Sequence, residues 1–318
     1  MTATVLALAG GIGGAKLVLG LARVLDAGEL AVLGNTGDDF RHLGLAVSPD
    51  LDTLLYTLAG LADPVRGWGR RDESWRFMDA LEQFGGPTWF RLGDADLALH
   101  IERTRRLAAG ETLSQVTDEL RQTLGVATRI LPMSDDPVRT RLRSGSRWLD
   151  FQDYFVRLRC EPPVQELEYR GADVARPAPH VIDMLHNDRL RAIVICPSNP
   201  FLSIEPILAV PGMRAAIASC RAPVVAVSPV IAGQAVKGPT TKLMKELGLE
   251  ATAGEVARRY ADLLDVFVVD HADEGTTAPE GIEVVLANTL MTSLEDRERL
   301  ARTVLAVADD VGRRLFLK

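Results

Sequence analysis

The chain runs to 318 residues, with 47% hydrophobic and 25% charged side chains, enough for one large or two modest cores and unlike a disordered or fibrous composition. Its formal net charge of −7 and pI near 5.4 argue against a nucleic-acid surface, which carries a basic excess. Three scattered cysteines (Cys160, Cys196, Cys220) suit a reducing compartment, five histidines form no paired zinc motif, and the apolar run Val5–Ala9 is too short to span a bilayer. These features point to a cytoplasmic protein with no membrane or nucleic-acid partner, whose metal would be a hard ion held by oxygen.

In chain order, Thr4–Ala9 predicts a strand that feeds Gly10-Gly11-Ile12-Gly13-Gly14-Ala15-Lys16, followed by a helical pattern from Leu17 to Leu25. Glycines in such a turn let backbone N–H groups approach an oxyanion, and the helix N-terminus adds partial positive charge, so a diphosphate is the natural guest. Two common fingerprints fail here. Lys16 stands where a dinucleotide site needs glycine, and the second strand, Glu29 to Gly34, ends in Gly34-Asn35 without the acid that holds an adenosine ribose. The P-loop spacing is also absent, which disfavours dehydrogenase and ordinary ATPase readings.

Next come Asn35-Thr36-Gly37-Asp38-Asp39 and Ser48-Pro49-Asp50-Leu51-Asp52-Thr53, four carboxylates around two turns close behind the glycine loop. Clustered oxygen ligands beside a phosphate cradle are what magnesium-dependent phosphoryl transfer requires. For Asp38 and Asp39 the alternative is a solvated Asx turn after Gly37.

From about Thr53 to Val181 the texture changes. Trp75–Phe84 and Ser114–Leu124 predict amphipathic helices, and the alternation Val138–Arg143, a Ser-Gly-Ser turn and Arg147–Phe151 predict a hairpin. Arg139, Arg141, Arg143 and Arg147 on that hairpin read as a solvated face, with phosphate capture as the alternative. Asp135 and Asp136 read equally as caps or as substrate contacts. Trp68, Trp75, Trp89 and Trp148 read as core anchors, with stacking on a flat substrate as the alternative.

The α/β pattern then resumes. It gives a strand at Arg191–Cys196, a helix at Ile204–Ser219 capped by Ser203, a strand at Pro223–Ser228 and a helix at Ala253–Leu264; strands at Val266–Asp270 and Ile282–Ala287 and a helix from Ser293 to Phe316 follow. The expected fold is α/β, a Rossmann-like three-layer, mostly parallel sheet built from 1–52 and 182–318, with 53–181 inserted as a helical and β-hairpin cap over the acceptor site. Loops Cys196–Ser203, Ser228–Ile231 with Lys237-Gly238-Pro239, and Asp270–Glu274 follow strand ends, where open α/β sheets bind ligands.

Eight blocks in order, Gly10–Lys16, Asn35–Asp39, Ser48–Tyr56, Leu92–Asp94, Leu131–Pro137, Phe151–Tyr154, Pro197–Pro200 and Leu290–Thr292, resemble the CofD/FbiA family along nearly the whole chain. The resemblance implies transfer of a phosphorylated three-carbon acid (2-phospholactyl, phosphoenolpyruvyl or 3-phosphoglyceryl) from a guanosine diphosphate donor to the 5-deazaflavin Fo. GMP is released, in the synthesis of coenzyme F-420. It implies Mg²⁺, a homodimer, and catalytic Asp52 and Asp50. Fo would contact Asp52 and Arg91, where the archaeal members carry lysine. Asp50, with Asp38 and Asp39, would hold the metal, and Asp38 and Asp39 would border the donor loop. The donor diphosphate falls to Gly10, Gly11, Gly13, Gly14 and Asn35, and its guanosine side to Ser198, Asn199, Ser203 and Gly238. A rival reading is a YvcK-like regulatory protein that binds nucleotide sugars without transfer. The acidic block Ser48–Thr53, Arg91 and the long insert favour the transferase.

Overall fold

The computed structural model describes residues 4–316. β1 (Val5–Ala9), α1 (Gly11–Val24) and β2 (Leu30–Gly34) open the chain, and a short hairpin, β3 (Phe40–His42) and β4 (Leu45–Val47), leads into α2 (Pro49–Leu58). Three helices follow, α3 (Arg76–Gln83), α4 (Asp94–Ala108) and α5 (Leu113–Thr123), and then β5 (Arg129–Pro132). β6 (Arg139–Ser144), β7 (Arg147–Asp150) and β8 (Glu166–Arg170) form a separate antiparallel sheet. The second half runs α6 (Val181–Leu185), β9 (Ala192–Ile195), α7 (Glu205–Leu208), α8 (Met213–Ala218), β10 (Val224–Val227), then a small hairpin β11 (Val230–Ile231) and β12 (Gln234–Ala235). It ends in α9 (Thr240–Glu246), α10 (Ala253–Arg259), β13 (Val266–Asp270), β14 (Glu283–Ala287) and α11 (Leu294–Phe316).

Seven strands make one parallel sheet in the order β14-β13-β10-β9-β1-β2-β5. Its strands are apolar on both sides because helices cover both faces. Val5, Ala7, Val32, Val194 and Val225 face Leu17 and Leu21 of α1, Leu51, Leu54 and Leu55 of α2, and Leu300 and Val304 of α11. The alternate residues, Leu6, Leu8, Leu33, Ile193 and Ile195, face Ile204, Ile207, Ile217, Val256 and Tyr260, together with Tyr154 and Val164 from the insert. Each such side chain buried contributes about 1.5–3 kcal/mol, so the central strands are rigid supports for the loops at their ends. α1 and α11 pack closely because Gly20 lacks a Cβ; a methyl there would collide with the Arg297 carbonyl.

The expected three-layer Rossmann-like fold is present, and three local expectations are corrected. Residues 129–132, assigned to the cap, form the edge strand of the main sheet, pairing with β2, so the region 53–181 is not one continuous insert. The single helix expected over 204–219 is broken: a π-type turn at Pro200–Ile204 precedes α7, and Gly212, with φ of +82°, starts α8 afresh. Ser203 does not cap it; the Asn199 side chain does, accepting the backbone N–H groups of Phe201 and Leu202.

Candidate active site

β1 and β9 lie side by side while their chains continue to opposite flanks of the sheet, which creates a crevice at their C-terminal ends. A cavity of about 750 Å³ opens there, lined by Gly10, Gly11 and Gly13 on one side and Pro197, Ser198 and Asn199 on the other. Gly11 has φ of +65°, a conformation that costs other residues about 1–2 kcal/mol. A side chain on Gly10 would strike the Asp50 carboxylate and Ser203, and one on Gly13 would strike the Pro197 carbonyl. The loop is therefore glycine-rich because three chain segments meet there.

α2 begins at Pro49 and carries Asp50 and Asp52 in its first turn, both buried and both lining the cavity. Asp50 accepts the Gly11 N–H at 2.6 Å and the Asn35 amide at 2.9 Å, tying the acidic block directly to the glycine loop. The same Asn35 nitrogen lies 3.4 Å from Asp38 Oδ1 and 3.1 Å from the Leu202 carbonyl, while its oxygen accepts the Gly37 N–H at 2.8 Å. Asn35 is fully buried and lies behind the cavity wall, where it orients the carboxylates. Gly14 is likewise behind the wall, pressed against Ser198 Oγ.

These carboxylates repel one another in a water-poor setting. Burial pushes Asp50 up from 3.8 to about 6, against hydrogen bonds from Asn35 and Gly11 that lower it. Asp38 is raised well above 3.8 by burial and then by the Asp50 and Asp39 charges. Burial takes Asp39 to about 7 in spite of Arg139 and a 2.9 Å hydrogen bond from Ser48. The solvated Asx-turn alternative for Asp38 and Asp39 is ruled out by their burial. Asp50, not the Asp38–Asp39 pair, is the carboxylate that touches the loop, and Asp39 turns toward Ser48 and away from the cavity.

Asp52 has a different environment. Both its oxygens are engaged by the Arg103 guanidinium of α4, the second at 3.1 Å. Arg103 Nη1 is also 3.3 Å from His100 Nδ1, and the other ring nitrogen, Nε2, lies 3.3 Å from Asp96 Oδ1. Tyr56 donates to that same Asp96 oxygen at 2.5 Å. Tyr56, Asp96 and His100 line the cavity with Asp52, and none of these three, nor Arg103, was singled out from the sequence.

The remaining sequence candidates divide. Ser198 accepts the Gly10 N–H at 3.2 Å, Asn199 donates to Thr240 Oγ1 at 3.0 Å, and both line the cavity with Ser203 and Gly238. Arg91 lines it too, its guanidinium 4.4 Å above the Trp75 ring. Trp68 and Trp89 form cavity wall beside Phe90, whereas Trp148 packs under Arg141 on the separate sheet. Arg141 pairs with Asp150 and Glu168 and Arg143 with Glu166, whereas Arg139 departs from the expected solvated face by turning inward, donating to the Thr36 carbonyl. Asp135 accepts the Ser114 N–H at the start of α5 and Asp136 the Arg176 N–H, both structural contacts. Lys16, whose Nζ donates to the Met291 carbonyl at 2.7 Å, and Lys237 also line the cavity.

Among the described residues no three His, Cys, Asp or Glu side chains converge as a ready-made metal cage. Magnesium seldom needs one, because it takes one or two carboxylates and completes its shell with substrate phosphate and water. Asp38 and Asp50 suit that pattern: they share one amide, line the cavity beside the phosphate-type loop and, among the described residues, lack a paired cation within 4.0 Å. The acceptor chemistry of the site therefore fits a hard divalent ion bound together with a diphosphate.

A family profile described as "2-phospho-L-lactate transferase CofD" matches residues 5–290. A phosphoenolpyruvate transferase from Kitasatospora aureofaciens is 45% identical, covering 96% of this chain and 98% of that protein. Proteins with the same name from Thermobifida fusca and Mycolicibacterium smegmatis are 41% and 38% identical, over 96% and 95% of this chain and 97% of each of theirs. A crystal structure of a UPF0052 family member from Bacillus halodurans superposes with a TM-score of 0.63 over 96% of this chain and 99% of that one, at 15% identity, a likeness of fold.

Proposed function

The chain belongs to the CofD family, and on that premise we propose that it moves a phosphorylated three-carbon acid from a guanosine diphosphate donor to the deazaflavin alcohol Fo, releasing GMP, in coenzyme F-420 synthesis. The relatives named phosphoenolpyruvate transferase favour the phosphoenolpyruvyl group among the three acids. One observation carries the reading: a single cavity is lined both by the glycine loop with Asp38 and Asp50 and by Asp52, Tyr56, Trp68 and Trp89. Donor diphosphate and a flat, hydroxylated acceptor would meet within it. A regulatory nucleotide-sugar binder has no need of the second group.

On this reading the acceptor hydroxyl attacks the phosphorus that bears the acid, forming one P–O bond while the bond to GMP breaks. The negative charge moves to the departing GMP phosphate, and the hydroxyl proton passes to a cavity carboxylate, Asp52. Gly13 and the first turn of α1 would face the phosphate oxygens, the Gly10 and Gly11 N–H groups being given to Ser198 and Asp50, and Ser198, Asn199, Ser203 and Gly238 border the guanosine. Magnesium, held by Asp38 and Asp50, would neutralise the diphosphate. Catalysis is then mostly positioning and charge stabilisation. The proposal includes a cytoplasmic homodimer, which sedimentation of the purified protein would check. The deciding experiment incubates the protein with Fo, Mg²⁺ and each of the three guanosine diphosphate donors and identifies the product by mass. The reading holds if a phospho-acid adduct of Fo forms with GMP, and fails if no donor yields one.

A further inference from the structure

Arg103 has a burial that stability alone does not explain. Its side chain is 1% exposed, it spends two N–H donors on Asp52, and its buried Nε has no hydrogen-bond partner among the described residues. A buried ion pair loses so much hydration that a hydrophobic pair of similar volume is usually as stable. This pair is also placed with its carboxylate end on the cavity and its guanidinium end behind it. The helix that supplies Arg103 is itself fixed: Thr104 Oγ1 accepts the Ala46 N–H at 2.8 Å and donates to the His100 carbonyl at 2.7 Å, locking α4 to β4. His100, 3.3 Å from the Asp96 oxygen that accepts the Tyr56 hydroxyl, then lies against the same guanidinium.

We propose that Arg103 is a positioning residue that clamps Asp52 in one orientation through paired hydrogen bonds, with His100, Asp96 and Tyr56 as its backing. Each carboxylate oxygen gives one lone pair to the guanidinium and retains another for a hydroxyl in the cavity. Only a planar fork sets the plane of the carboxylate; an ammonium supplies charge without that constraint. The inference rests on the reading of Asp52 as the carboxylate that receives the acceptor hydroxyl.

The test compares Asp52→Asn, Arg103→Lys, Arg103→Ala and the double variant Asp52→Asn with Arg103→Lys, measuring kcat, the acceptor KM, GDP affinity by calorimetry and the melting temperature. Misplacing a reacting group by about 1 Å costs about 100-fold in rate, so Arg103→Lys should lower kcat by about that factor while GDP affinity stays within twofold. Methylguanidinium at concentrations that leave folding intact should restore part of the activity of Arg103→Ala, an effect that a purely structural role does not produce. The double variant should be no slower than Asp52→Asn alone. If Asp52→Asn abolishes transfer while Arg103→Lys stays within threefold of the parent, the clamp is refuted and the role of Asp52 survives. If Asp52→Asn retains its turnover, both fall together. Loss of GDP affinity in step with turnover in Arg103→Lys makes Arg103 a fold residue and also overturns the clamp.

Discussion

Replacing Asp38 by asparagine should make the metal-free protein more stable and the enzyme inactive. Asp38 is buried beside Asp50 and Asp39, and burial and their charges raise it well above 3.8. The sign follows from linkage: for a carboxyl raised on folding, stability is fully present below the unfolded value near 4 and is lost as pH climbs through the folded values, about 6 for Asp50 and about 7 for Asp39. At about 1.36 kcal/mol per pKa unit, the rise of Asp50 from 3.8 to about 6 corresponds to a cost on the order of 3 kcal/mol at pH 8. Asp38, with more carboxylates facing it, is shifted in the same direction. An amide of the same shape removes that charge. With about 2.1 cal/mol/K of unfolding entropy per residue over 318 residues, a gain of 1–3 kcal/mol raises the melting temperature by roughly 2–5 °C. Scanning fluorimetry without divalent ions should show this gain at pH 8 and almost none near pH 3, below the unfolded value, where the carboxyl is protonated in both the folded and the unfolded state. Magnesium with GDP should stabilise the parent far more than the variant, and transfer should drop at least 100-fold. A variant that melts below the parent at pH 8 would refute the reasoning, because Asp38 would then be a stabilising group and not an uncompensated charge.

Three further outcomes follow from the same geometry. Gly11→Val places a β-branched residue at φ of +65°, a strain of about 1–2 kcal/mol, and should weaken GDP binding at least tenfold in calorimetry; unchanged affinity would make the loop purely a packing device. Trp89→Ala removes cavity wall next to Phe90, where the ring centroids are 5.7 Å apart, and should raise the acceptor KM about tenfold with GDP affinity intact, since an aromatic contact contributes about 1 kcal/mol beyond its area. Excess EDTA should abolish transfer and magnesium should restore it; full activity in EDTA would remove the metal role assigned to Asp38 and Asp50.

What the sequence disclosed and what it hid have a common physical cause. The strands that line the sheet centre are short apolar runs, and the glycine loop and acidic block are local in sequence, so pattern alone located them. Helix α4 was invisible because its inward stripe is not apolar: Leu99, His100 and Arg103 are its buried residues, so hydrophobic periodicity never emerges. The signal that could have found it is the run Asp94–Ala108, with acids in the first turn and Arg105 and Arg106 in the last, the charge order that favours a helix dipole. β5 was read into the cap because it has only four residues and ends in Pro132, which an edge strand tolerates. The partner of Asp52 lies 51 residues away, a separation that no local motif encodes.

The four aspartates of the opening motifs therefore do not act as one acidic patch. Asp50 and Asp52 stand two residues apart on α2, yet the fold treats their charges in opposite ways. Asp52 receives a full guanidinium from inside the protein, so a cation in the cavity has little to gain from it. Asp50 receives only a backbone N–H and a neutral amide, and among the described residues Asp38 beside it has no paired cation within 4.0 Å, so whatever negative charge either carries is left for a ligand to neutralise. A divalent ion should consequently settle toward Asp38 and Asp50, next to the glycine loop, and leave Asp52 for a hydroxyl. On the proposed reading, charge compensation would separate donor from acceptor within one cavity of about 750 Å³, and the separation would depend on Arg103 as much as on the aspartates themselves.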